Sequence, residues 1–336
     1  MPNRIALALL ICAGGPAWAD TVRIATYNTE LSRKGPGILL RDIARGKDDQ
    51  IAAVQDVIRA KSPDILVIQG FDYDLTGAAL SAFAASLNYP HHFALLPNTG
   101  MATGLDMDGN GRLGEARDAQ GYGTFSGADG MAVLSRYRVI TDQVQDFSAL
   151  LWQDFPNALL PQINGEPFPS AEAQAAQRLS TTGHWIVPID APGGVINVMA
   201  FHASPPVFDG PEDRNGKRNH DELMLWVQVL DGQLGTLNGD FVIAGDANLD
   251  PVDGEGIKRA IRTLLDHPRL QDPTPNNPDT VDWTDPVPGD LRVDYVLPGA
   301  DLKITDSGVY WPSGGDALET VKTASRHRLV WVDITR

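Results

Sequence analysis

The strongest constraint on the fold is a series of short runs rich in apolar and β-branched residues, each bounded by Gly, Pro or Asp. They fall at residues 22–27, 65–68, 131–134, 185–189, 196–201, 241–244, 293–297 and 329–332. Runs of this length and composition read as buried strands. Helical periodicity lies between them, at 51–59, 77–87, 221–230 and 257–265, with a shorter Ala/Gln-rich stretch at 170–177 that reads as an exposed helix. Interleaved helices and strands predict an α/β or α+β architecture with sheets buried on at least one face. The segments at 97–130, 150–183 and 203–220 are unusually long loops, and such loops in a compact domain usually carry function.

Polar residues stand where the buried runs end. Asn28 follows the first; His202 follows 196–201; Asp246 and Asn248 follow 241–244; Asp294 interrupts its own strand; His327 precedes the last. Side chains at strand ends can converge on one crevice. An amide, two imidazoles and two carboxylates suit phosphoester hydrolysis: a carboxylate orients or deprotonates water, amides and imidazoles hold non-bridging oxygens, and a His–Asp pair handles protons. The net charge of −16 supplies no bulk attraction for polyphosphate, so any phosphate chemistry is local or assisted by a metal.

The N-terminus reads as an export signal. Arg4 precedes a short apolar stretch, and Ala17-Trp18-Ala19 is a small-residue cleavage site, so residues 1–19 are expected to leave after Ala19. The only cysteine, Cys12, lies inside that segment, and residues 20–336 then form one domain in the periplasm or outside the cell, without disulfides.

The ordered set Ala25-Thr26-Tyr27-Asn28, Phe201-His202-Ala203-Ser204, Gly245-Asp246-Ala247-Asn248, Arg292-Val293-Asp294-Tyr295 and Ser325-Arg326-His327 resembles the endonuclease/exonuclease/phosphatase superfamily. The resemblance implies a four-layered sandwich, two packed mixed β-sheets flanked by helices. It implies a metal-dependent phosphoester hydrolase acting on a nucleic acid, a lipid headgroup or a small phosphate ester, with Mg²⁺ or Mn²⁺ as the catalytic ion. It places Asn28 and Glu30 at the metal and phosphate end, His202 and Asn248 on the phosphate, Asp246 on the attacking water, and His327, held by Asp294, in proton transfer.

Two positions depart from the family pattern. Gly70 stands where the family keeps a metal-binding Glu, and Arg326 stands where its closing motif has Asp. Two explanations are open. Asp72 or Asp74, together with Glu30, replaces the lost ligands while Arg326 contacts the phosphate; or the chain has lost hydrolysis and is a calcium-stabilised binding protein on the same fold.

A second metal signal is independent of these motifs. Asp106-Met107-Asp108-Gly109-Asn110-Gly111 matches the opening of an EF-hand calcium loop. Arg117 occupies the twelfth position and brings only backbone, so Asp118 or Glu115 would close a structural Ca²⁺ shell. The charged run at 209–222 reads as a solvated loop ending in a helix start, with Arg214, Lys217 and Arg218 as the other reading, a phosphate-binding rim. No oligomer is expected.

Overall fold

The computed structural model describes residues 21–336, so the expected export signal and Cys12 lie outside the described residues. In chain order the strands are β1 (Thr21–Asn28), β2 (Ile65–Phe71), β3 (His91–Phe93), β4 (Gly130–Ser135), β5 (Arg138–Val139), β6 (Gln145–Asp146) and β7 (Gln162–Ile163). They continue with β8 (Glu166–Pro167), β9 (Gly183–Ala191), β10 (Gly194–His202), β11 (Asp240–Asp246), β12 (Asp294–Pro298), β13 (Lys303–Val309) and β14 (Val330–Thr335). The helices are α1 (Ile38–Arg45), α2 (Asp49–Lys61), α3 (Ala78–Ser86), α4 (Ala171–Ala176), α5 (Arg214–Leu230), α6 (Arg259–Leu265) and α7 (Gly315–Ala324).

Two mixed sheets form. One runs β13-β14-β1-β2-β4-β3 and the other β12-β11-β10-β9-β5, with β6 also on β9; β7 and β8 make a separate ribbon. Alternation along the strands sorts side chains into three cores. Val22, Ile24, Ile65, Val67 and Val133 of the first sheet face Val187, Val198, Val242 and Ala244 of the second. The opposite face of the first sheet, with Tyr27, Leu66 and Ile68, packs on Val54, Val57 and Ile58 of α2 and Phe83 of α3. The opposite face of the second sheet, with Met199, Phe201 and Ile243, packs on Leu223, Trp226 and Leu230 of α5 and Ile261 of α6. The result is the expected four-layered sandwich. Burial on both faces is why the strands read as continuous apolar runs, and each such side chain contributes about 1.5–3 kcal/mol on leaving water.

Each sheet holds one parallel pair at its centre. β1 runs parallel to β2, with α1 and α2 between them in sequence, and β10 runs parallel to β11, with α5 between. In the second pair His202 lies opposite Asp246, and Asp246 lies opposite Asp294 of antiparallel β12. The polar residues therefore gather at the C-terminal ends of β1, β10 and β11.

The run at 209–222 begins as an exposed loop at residues 209–211 and enters a helix as expected, but its second half is buried rather than solvated. From Arg214 it forms the first turns of α5, and Arg218, Asn219, His220, Asp221 and Glu222 are buried. Arg218 donates to the carbonyl oxygens of Leu179, Gln120, Arg178 and Ser180, Arg214 to that of Met107, and Lys217 to that of Glu212. Backbone carbonyls thus accept from all three cations. Among the described residues no helix is long and apolar enough to cross a membrane.

Candidate active site

One carboxylate oxygen gathers the strand-end residues. Asp246 Oδ2 accepts from Asn28 Nδ2 at 2.9 Å and lies 3.6 Å from His202 Nε2 and 3.9 Å from His327 Nδ1. Its partner oxygen, Oδ1, accepts the backbone N–H of Asn248 at 2.8 Å. Asn28 belongs to the first sheet and Asp246 to the second, so this contact joins the two sheets at the crevice. Asp246 and Asp294 are fully buried, and Asn28, His202 and His327 nearly so.

His327 Nδ1 donates to Asp294 Oδ2 at 2.9 Å, and the Thr280 hydroxyl donates to the same oxygen at 3.0 Å. Burial alone would lower the imidazole, but the Asp294 and Asp246 charges, with Glu30 beyond them, carry it up to about 9. Burial also raises Asp294, with His327 pulling the other way. At neutral pH the pair is imidazolium and carboxylate. Among the described residues His202 Nδ1 and Asp294 Oδ1 are buried with no hydrogen-bond partner, and the imidazole nitrogen leaves hydrogen-bonding capacity for a ligand.

The loops carrying these residues are fastened from behind. Asn219 Nδ2 donates to the carbonyls of Ser204 and Ala247, each at 2.7 Å, tying the segments after β10 and β11 together. Glu222 accepts the Ser204 and Thr181 amides. The Trp283 and His327 rings stand perpendicular to each other, their centroids 6.0 Å apart.

The metal end is built differently from the expected one. Both Glu30 oxygens are taken: Oε2 accepts the Arg326 amide at 2.7 Å and lies 3.1 Å from the Ser325 hydroxyl oxygen, and Oε1 accepts Arg326 Nε at 2.8 Å and Nη2. Burial raises the Glu30 carboxyl, but Arg326 outweighs it and holds Glu30 below its ordinary value. Gly70 has φ +68°, and a Cβ there would sit 2.6 Å from Asn28 Oδ1 and 2.7 Å from Glu30 N, so backbone and space both bar a side chain.

Asp72 and Asp74 are committed elsewhere. Asp72 accepts the Ser32 hydroxyl at 2.6 Å and the amides of Arg33 and Asp129, while Asp74 caps α3 by accepting the amides of Ala78 and Ala79. Glu30, Asp72 and Asp74 do not form a ligand set. Among the described residues, the groups that bring one ligand atom each within 4.8 Å of one another are Asp246, Asp294 and His327, and Asp106, Asp108 and Asp118. In the first, His327 Nδ1 is spent on Asp294. The second is an acidic cluster able to hold a cation.

In that second group Asp106 accepts the amides of Gly109, Asn110 and Gly111, as a sharp turn requires. Asp118 accepts from Met107 N at 3.0 Å and Glu115 N at 2.9 Å, and Asn110 Nδ2 reaches Asp108 and Glu115. Arg117 lies in the single helical turn of residues 116–118 and is exposed.

Asp129 is a site residue that the sequence did not reveal. It precedes β4 with φ +51°, and its carboxyl is raised by burial and by the charges of Asp72, Asp246 and Glu30, with His202 opposing. In sequence it is an Asp-Gly pair before a strand, the composition of an ordinary turn. Glu30 and Asn248 share its left-handed backbone, at φ +49° and +50°. Residues held in this sparsely populated region cluster at functional sites.

The model of the Endonuclease/Exonuclease/phosphatase family matches residues 25–327. Solved structures share the fold. An endonuclease/exonuclease/phosphatase from Beutenbergia cavernae is similar with a TM-score of 0.58 at 20% identity, over 94% of this chain and 71% of that one. D. rerio TDP2 complexed with single-strand DNA product gives 0.53 at 12% identity, over 94% and 99%. Sphingomyelinase C from Streptomyces griseocarneus gives 0.50 at 16% identity, over 94% and 100%. No curated protein matches in sequence.

Proposed function

The chain belongs to the endonuclease/exonuclease/phosphatase family, and on that premise we propose that it hydrolyses a phosphoester in the crevice between its sheets, as a phosphodiesterase or nuclease-like enzyme. The observation that carries this reading is the convergence of Asn28, His202 and His327 on Asp246 Oδ2. Asp246 takes the proton of the attacking water. Asn28, Asn248 and His202 hold the phosphate oxygens, and the buried Nδ1 of His202 finds its partner there. His327, kept charged and oriented by Asp294, offsets the charge developing on the phosphorus oxygens and protonates the leaving group. General acid–base work of this kind contributes roughly 10²–10⁴-fold.

Family enzymes use a divalent ion. In this chain Glu30 is bound by Arg326 and position 70 admits no ligand, so the Mg²⁺ or Mn²⁺ expected there has no ligand set, and each step falls to the chain's own side chains. DNA and sphingomyelin, which the names of the D. rerio and Streptomyces relatives imply, present the same phosphodiester. A nucleic acid, a lipid headgroup or a small phosphate ester fits this chemistry equally. The protein acts as an exported monomer, one domain from Asp20 onward, with Ca²⁺ ordering the loop of Asp106, Asp108, Asn110 and Asp118.

Turnover of bis(p-nitrophenyl) phosphate by the chain from Asp20, measured with and without Mg²⁺, Mn²⁺ and Ca²⁺, tests the reading. Asp246→Asn and His202→Ala are expected to lower kcat roughly 10²–10⁴-fold. A well-folded wild type with no turnover under any of these conditions overturns hydrolysis. It leaves the binding protein, which the closure of Glu30 by Arg326 favours.

A further inference from the structure

The metal end of the crevice already contains a cation. Arg326 is 65% exposed at its side chain, against 23% for Glu30, yet it is fixed at three points on Glu30, through its amide, Nε and Nη2. Its backbone is fixed as well, since its carbonyl accepts the Asp282 amide at 2.9 Å and Arg328 Nη1 at 3.0 Å. Among the described residues Nη1 of Arg326 finds no hydrogen-bond partner, and most of the side chain is exposed to solvent. Ser325 links this unit to the crevice, donating to Asn28 O at 2.8 Å while accepting His327 N at 3.0 Å.

A divalent ion on Glu30 would have to displace a guanidinium that is always charged and bound by paired, charge-assisted hydrogen bonds. It would find no second ligand at position 70 and would sit beside the displaced cation. A phosphate meets the opposite conditions: free N–H donors on a rigid fork, held at the mouth of a crevice whose floor is Asn28, Asp246 and His327.

We propose that Arg326, buttressed by Glu30, is the crevice's resident cation, that it binds the non-bridging oxygens of the phosphoester in the place a divalent ion takes in the family, and that the site needs no divalent ion there. This rests on the phosphoester reading above. Glu30 acts as a positioning residue, turning the guanidinium edge outward.

Binding of inorganic phosphate, followed by calorimetry in the presence of EDTA, tests the proposal independently of turnover. The wild type is expected to bind phosphate in chelator, Arg326→Ala to lose affinity about 10–100-fold, and Arg326→Lys to recover part of it. Unchanged melting temperatures of these exposed-site variants confirm that the fold is intact. If phosphate binds only after Mg²⁺ or Mn²⁺ is added, or if Arg326→Ala binds as well as the wild type, the proposal is overturned. If the wild type binds phosphate in EDTA and hydrolyses nothing, the arginine site stands and hydrolysis falls. For an active wild type, turnover in EDTA is expected within about twofold of that in Mg²⁺, with Arg326→Ala lowering kcat/KM roughly 10²-fold. Turnover abolished by EDTA and restored by Mg²⁺ overturns it.

Discussion

His327 and Asp294 form a buried pair, Nδ1 to Oδ2 at 2.9 Å, in which the acid both orients the ring and keeps it protonated well above the pH at which a free imidazole would lose its charge. Thr280 fixes the acid in turn, donating to Asp294 Oδ2 and accepting the amides of Val293 and Asp294. The ring's charge therefore depends on a neighbouring carboxylate as much as on the ring itself.

Asp294→Asn removes that charge while preserving shape. The His327 pKa is expected to fall from about 9 toward the ordinary imidazole value near 6.5. Because the protonated ring is the competent form, the alkaline limb of the kcat/KM profile should move acidward by more than one pH unit, together with a loss of roughly 10²-fold or more in kcat. An alkaline limb that stays in place would show that His327 does not set it.

His184 makes stability depend on pH with the opposite sense. Its Nδ1 meets the Ser180 hydroxyl at 2.6 Å and its Nε2 the Glu222 carbonyl at 3.1 Å, and burial pushes it down to about 3. The unfolded chain takes up this proton near pH 6.5, whereas the folded chain does not. The folded state should therefore lose stability as pH falls below about 6.5, by about 2–3 kcal/mol from this group at pH 4.5. Denaturant titrations should show the gap between the wild type and His184→Gln narrowing over that interval. A constant gap would count against it.

Gly70 tolerates no side chain. Gly70→Ala is expected to cost about 1–3 kcal/mol, from the left-handed backbone and from the contacts with Asn28 Oδ1 and Glu30 N. Gly70→Glu should lose activity whatever divalent ion is supplied, because it displaces Asn28 before it can offer a ligand. A gain in turnover with added Mg²⁺ would refute this.

The acidic loop is expected to answer calcium in the melting curve. A Ca²⁺ concentration a hundredfold above Kd should stabilise the fold by about 2.7 kcal/mol, and Asp106→Asn with Asp108→Asn should remove the response. Equal melting temperatures with and without Ca²⁺ in the wild type would show that the loop is a turn alone.

Much of the sandwich was legible because strands buried on both faces leave unbroken apolar runs that stop abruptly at polar residues; Asn28, His202 and Asp246 stand at those stops. What escaped notice carries a weaker pattern. α1 buries only Leu39, α7 only Val321 and Ala324, and β13 lies at a sheet edge with several exposed positions, so none carries the unbroken apolar run that marked the central strands. The second half of the run at 209–222 misled for a related reason: its cations meet backbone carbonyls and Asp221 and Glu222 accept N–H groups, and hydropathy cannot distinguish those partners from water. Resemblance identified Gly70 and Arg326 as departures. It could not show that Arg326 closes on Glu30, since 296 residues separate them in the chain.

The first and last described strands lie side by side, with Thr21 opposite Thr335 and Thr26 opposite Val330. Asn28 ends one of them, and His327 stands just before the other. The candidate crevice thus draws residues from beside the first and the last described strands, and pairing of those two strands brings Asn28 and His327 to one end of the sheet.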